Sequence, residues 1–174
     1  SKALLSFGPS HPAKVPAEAM EVARRTGRRL HIYGIVQDAA YYERDIRPQV
    51  DGDAVLYHGP VGGDERVAAL GGAHALLHII NFDEPFGLSV IEAMACGTPV
   101  IAQRRGSMPE LIEDGVNGYL VDDIEAAVAA VERVGAIGRL QVSETVARRF
   151  SVERMADEYI ALYRHILSER DERA

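Results

Sequence analysis

The sequence predicts an α/β protein, a parallel sheet with helices on both faces. Three observations lead there. Short apolar runs alternate with helical stretches, the pattern of successive βαβ units. Gly and Pro punctuate the ends of those runs, as at Gly8-Pro9, Gly27 and Gly115-Val116-Asn117-Gly118. A composition of 47% hydrophobic and 26% charged residues over 174 positions suits one globular domain that buries a sizeable core.

Taken in order, Ala3–Phe7 is expected as a buried strand ended by Gly8-Pro9. A loop leads to Pro16, tolerated in a first helical turn because its missing N–H has no partner there. Ala17–Arg25 then sets Ala19, Met20, Val22 and Ala23 on one side of a helix, closed by Gly27. Leu30–Val36 reads as the second strand, and Asp38 as the cap of a polar helix Ala39–Gln49. Ala54–Gly59 is the third strand, with Pro60-Val61-Gly62-Gly63 as its exit loop and Asp64 capping a helix Glu65–Leu70. The fourth strand is Ala75–Ile80, followed by a loop and a short buried helix that ends near Gly97. Thr98–Ala102 is the fifth strand, Pro109–Glu113 a short helix begun by proline, and Tyr119–Val121 the last strand. Helices are expected at Ile124–Val134, Ser143–Arg149 and Val152–Ser168, the last with Met155, Tyr159, Leu162, Tyr163 and Ile166 at three- and four-residue spacing.

The bulk properties exclude some functions. A formal charge of −7 argues against a general nucleic-acid binder, which needs a basic face to neutralise phosphates. The one cysteine, Cys96, permits no internal disulfide and fits a reducing, cytoplasmic compartment, where its small neighbours Ala95 and Gly97 make it a packing residue. No apolar run approaches the ~20 residues that span a bilayer. His31, His58, His74 and His78 show no metal-ligand spacing.

The chemistry gathers in Glu84-Pro-Phe-Gly-Leu-Ser-Val-Ile-Glu92. A strand leads into a loop with one acid, then into a helix with a second acid eight positions later. Gly87 permits close backbone approach to a ligand, and the new helix offers N–H groups to an anion. Two carboxylates beside an anion site make poor phosphate ligands but good acceptors for sugar hydroxyls. Sheets of this kind bind ligands beyond the carboxyl ends of their strands. The loops 8–15, 59–63 and 81–88 are expected to meet there. For Glu92, a salt bridge is an alternative explanation of a carboxylate on an otherwise apolar helix.

The run Asp83–Ala102, with Gly106, Pro109-Glu110, Glu113-Asp114-Gly115, Asn117-Gly118 and Leu120-Val121, resembles the C-terminal domain of retaining glycosyltransferases of family 4. These have the two-domain GT-B fold. The resemblance implies a Rossmann-like donor-binding domain over 1–168, a charged tail over 169–174, and an N-terminal acceptor domain outside this chain. It implies that Glu84 contacts the donor sugar and Glu92 the ribose. It further implies that backbone at Phe86, Gly87 and Leu88 approaches the sugar and diphosphate, that Pro60 and Val61 lie against the base, and that Lys14 holds the diphosphate. Glu84 and Lys14 are thereby the candidate catalytic residues. The substrate implied is a UDP- or GDP-linked sugar, with no cofactor and no bound metal. The acceptor, and any peripheral membrane contact, fall to the N-terminal domain. This chain departs from the family in carrying Pro9 where an arginine precedes the lysine, and Val15 where a glycine follows it.

Overall fold

A computed structural model of the protein describes residues 2–7, 16–36, 38–80 and 87–149, together with 160 and 164. The expectations for loop 8–15, for 81–86 (with Glu84 and Phe86) and for the tail lie outside the described residues, and of the expected final helix only Ile160 and Arg164 are described, both helical.

Six strands form one sheet: β1 (Leu4–Phe7), β2 (Leu30–Tyr33), β3 (Val55–Gly59), β4 (Ala75–His78), β5 (Val100–Gln103) and β6 (Gly118–Val121). All pairings are parallel, in the order β3-β2-β1-β4-β5-β6, so the predicted Rossmann-like architecture holds. The register aligns Leu4 with Leu30 and Ala75, and Leu30 with Val55, placing four apolar side chains abreast. Leu76 and Leu77 point to opposite faces yet are both buried, because helices cover both sides.

Helix α1 (Pro16–Thr26) joins β1 to β2, and α4 (Leu88–Ala95) joins β4 to β5. These two crossovers move in opposite directions along the sheet, so right-handed connection puts their helices on opposite faces. Helix α6 (Ile124–Arg133) packs beside α1, and α7 (Arg139–Arg149) beside α4. Met20, Val22, Ala127 and Val131 thus close one half of the core, and Val90, Met94 and Val142 the other.

Several boundaries differ from expectation. The second strand stops at Tyr33, since Gly34 takes a φ of 149° and donates its N–H to the Gly59 carbonyl (2.9 Å), while Ile35 and Val36 are exposed. Asp38 caps as predicted, accepting from the Tyr41 N–H at 3.0 Å. The stretch it starts is irregular, however: α2 (Ala39–Tyr41) continues as a π turn (Tyr42–Ile46) and a 3₁₀ turn (Arg47–Gln49). Pro48 supplies no N–H to an α-helical ladder there. Helix α3 runs over Gly63–Gly72, and its cap is Gly62, not Asp64; the aspartate sits inside the first turn, where the helix dipole favours an acid. The helix expected from Ser143 begins four residues earlier, at Arg139. Arg139 anchors it by donating to the Ala73 and Gly71 carbonyls and to the Thr98 hydroxyl (3.0, 2.6 and 2.8 Å).

Candidate functional site

The sheet changes direction between β1 and β4. Connections leave these neighbours towards opposite edges, opening a crevice beyond their carboxyl ends. Around it stand Phe7 at the end of β1, His78 at the end of β4, the first turn of α4, and the start of α3.

Gly87 fixes how α4 begins. Its φ of 62° is left-handed, a region that disfavours any side chain. A Cβ here would also lie 2.7 Å from both Leu111 Cδ1 and Met108 Cε of α5 (Met108–Leu111). Glycine therefore lets the helix start press directly on α5. The N-cap Gly87 has no side chain with which to cap α4, and the helix's first intrahelical bond runs from the Ile91 N–H to the Gly87 carbonyl (3.0 Å). Such a helix start directs N–H groups and positive dipole outward, an arrangement suited to an anion. Leu88 opens the helix and is 39% exposed.

Glu92 lies on the next turn. Its neighbours Val90, Ile91, Ala93 and Met94 are buried, while its own side chain is 45% exposed. The carboxylate is paired: Arg66 Nε donates to Oε2 at 2.7 Å. The ion-pair alternative weighed for this acid is therefore realised, and half-exposure shows that burial does not force the pairing. Arg66, on the first turn of α3, also lays its guanidinium over the Phe7 ring, 4.4 Å from the centroid. The residue ties the end of β1 to α4 across the crevice. Sequence reasoning missed it, because Glu92 and Arg66 belong to different helices and no periodicity links them.

Pro60 and Val61 leave β3 as expected, Pro60 exposed and Val61 half-buried. Their approach is steadied by the Gly34–Gly59 backbone bond and by the Tyr57 hydroxyl, which donates to the Gly34 carbonyl at 2.6 Å. The structure thus brings Gly87, Leu88 and Glu92 to one crevice, with Pro60 and Val61 at the strand-end face beside it; Lys14, Glu84 and Phe86 lie outside the described residues. Arg104 is a cation near the end of β5, but it turns to Asp122 (3.4 Å) towards β6.

From Phe7 a row of rings crosses the sheet. Phe7 stacks on Tyr33 (5.3 Å) and Tyr33 on His58 (4.6 Å). His58 meets His31 through an Nε2···Nδ1 hydrogen bond of 2.7 Å, one ring donating to the other's lone pair. Burial, the neighbouring His58 and then Arg29 lower the His31 pKa, and burial raises those of Tyr33 and the Cys96 thiol. The described residues contain no group of three or more potential metal ligands. A cavity of about 540 Å³ lies elsewhere, between α5 and α7, lined by Pro109, Glu113 and Arg148 among others. Its described lining includes none of the crevice residues. No helix among the described residues is long and apolar enough to cross a membrane.

The chain is similar to known proteins in sequence and in fold. The D-inositol 3-phosphate glycosyltransferase of Segniliparus rotundus is 43% identical over 101 residues, covering 53% of this chain and 22% of the relative. That of Streptomyces griseus is 35% identical over 134 residues, covering 70% and 27%. The chain thus spans about a quarter of the length of these curated relatives. Among solved structures, AviGT4, a glycosyltransferase involved in avilamycin A biosynthesis, superposes with a TM-score of 0.76 at 27% identity, covering 97% of this chain and 52% of that one. Anabaena HepE in complex with UDP and glucose shares the fold, with a TM-score of 0.77 at 19% identity over 95% of this chain and 48% of that one. The family described as glycosyl transferases group 1 matches residues 11–136, and with that match the chain belongs to it.

Proposed function

We propose that this domain binds a nucleotide-diphosphate sugar, UDP- or GDP-linked, as the donor-binding part of a retaining glycosyltransferase of family 4. The observation that carries the reading is Glu92, held half-exposed at the β1–β4 crevice one turn inside a helix that starts at Gly87. A carboxylate so placed accepts from ribose hydroxyls, while N–H groups around Leu88 face the diphosphate. Pro60 and Val61 flank the base. Phe86 backbone, Glu84 at the sugar and Lys14 at the diphosphate complete the assignment. The D-inositol 3-phosphate glycosyltransferases support transfer as the activity class. HepE, which holds UDP and glucose, makes UDP the first nucleotide to test.

In the reaction proposed, the bond between the sugar's anomeric carbon and the diphosphate oxygen breaks, and its electron pair leaves with the nucleoside diphosphate. The acceptor hydroxyl bonds the same carbon on the same face, and its proton passes to the departing phosphate. The domain's contribution is electrostatic, from the helix-start N–H groups and Lys14. The acceptor is assigned to an N-terminal domain that closes over the donor. No cofactor enters the scheme.

Two observations favour a second reading, a degenerate domain with a structural or interaction role. Glu92 already has an ionic partner, and the first loop carries Pro9 in place of a phosphate-binding arginine. Calorimetric titration with UDP, GDP and ADP separates the two. Saturable binding of one nucleotide, weakened about 10- to 100-fold by Glu92→Ala, supports the donor site. Silence from all three at millimolar concentration favours the structural role.

A further inference from the structure

We propose that Arg66 is a positioning residue for Glu92, and that this pair sets the preference of the crevice for ribose over deoxyribose. The inference rests on the donor-site reading above. A glutamate that is 45% exposed on a helix has several rotamers open to it, and a mobile carboxylate discriminates poorly between ligands that differ by one hydroxyl. Arg66 removes that freedom. Its Nε holds Oε2 at 2.7 Å, and its plane is fixed by the Phe7 ring at 4.4 Å, which is in turn stacked on Tyr33. Oε1 is then left as the oxygen presented in a defined direction. The arginine's own location is informative. It stands in the first turn of α3, where the helix dipole disfavours a cation, and its side chain is only 27% exposed. Its opposite-sign partner is on another helix, α4, across the crevice where a ligand of this fold sits. A planar guanidinium can pair and stack at once, which the ammonium of a lysine cannot do.

The test is calorimetry with UDP and 2′-deoxy-UDP on wild type, Arg66→Gln and Arg66→Lys, each first checked for an unchanged circular dichroism spectrum. GDP or ADP with its deoxy counterpart replaces UDP if that is the nucleotide bound. Wild type should prefer the ribonucleotide roughly tenfold, as expected for one charge-assisted hydrogen bond. Arg66→Gln should lose most of that preference by weakening ribonucleotide binding while leaving the deoxynucleotide nearly unchanged. Arg66→Lys should fall between them. An equal loss for both nucleotides in Arg66→Gln would overturn the proposal, because Arg66 would then act on the diphosphate. An unchanged preference would overturn it by showing that Glu92 needs no support. Wild type that binds no nucleotide at all would instead remove the donor-site reading on which the inference stands.

Discussion

Replacing Gly87 by alanine tests how the crevice is built. Two separate costs arise. The backbone at φ 62° is left-handed, which costs a non-glycine residue about 1–2 kcal/mol. The new methyl carbon would lie 2.7 Å from Leu111 Cδ1 and Met108 Cε, both on buried residues, so α4 and α5 must separate or repack, at about 1–3 kcal/mol. Together these predict a loss of about 2–5 kcal/mol by urea denaturation, and a fall in Tm of roughly 2–4 °C for each kcal/mol in a domain of this size. Gly52 supplies the control, since its φ is 76° but nothing lies within 4 Å of the position a Cβ would take. Gly52→Ala should therefore show the backbone cost alone. Gly87→Ala that is no more destabilising than Gly52→Ala would refute the close approach of α4 to α5, and with it the account of how the helix start is presented.

The remaining predictions concern the loop before β6 and the histidine pair. Asn117 is buried, accepting from the Glu113 N–H (2.9 Å) and donating to the Leu111 carbonyl (3.1 Å). Asn117→Ala should cost about 1–3 kcal/mol by urea denaturation, since it strands both backbone groups; a loss under about 0.5 kcal/mol would contradict those bonds. The pKa of His31 is lowered in the folded protein, mainly by burial, so below its ordinary value the unfolded chain takes up more protons. The stability linked to His31 is thus present above about pH 6.5 and lost as pH falls through the lowered folded value. His74 shifts in the same direction, again chiefly through burial. Wild type should therefore destabilise from pH 7.5 to 5.5, and His31→Gln should flatten that slope without abolishing it; an identical slope would show that His31 titrates alike in both states.

Much of the fold was legible because its signals are local. Apolar runs gave all six strands, and the Asp38 cap and the Gly27 ending depend only on near neighbours. Boundaries were less legible where tertiary contacts decide them. β2 ends at Tyr33 because Gly34 bonds to Gly59 on another strand, and α7 begins early because Arg139 reaches carbonyls more than 60 residues away. The same division runs through the site. Gly87 and Glu92 stand out in the motif, but what makes Gly87 necessary is α5, and what holds Glu92 is Arg66. Each belongs to an element brought near only by the sheet's strand order.

The most direct test of the central claim is where a nucleotide binds. UDP, GDP or ADP titrated into ¹⁵N-labelled protein should shift the amides of Gly87, Leu88, Ser89 and Glu92, with those of Val61 and Arg66. In Glu92→Ala these shifts should require far higher nucleotide concentrations. Shifts confined to the cavity between α5 and α7, or amides at the β1–β4 crevice that stay unmoved at saturation, would contradict the account.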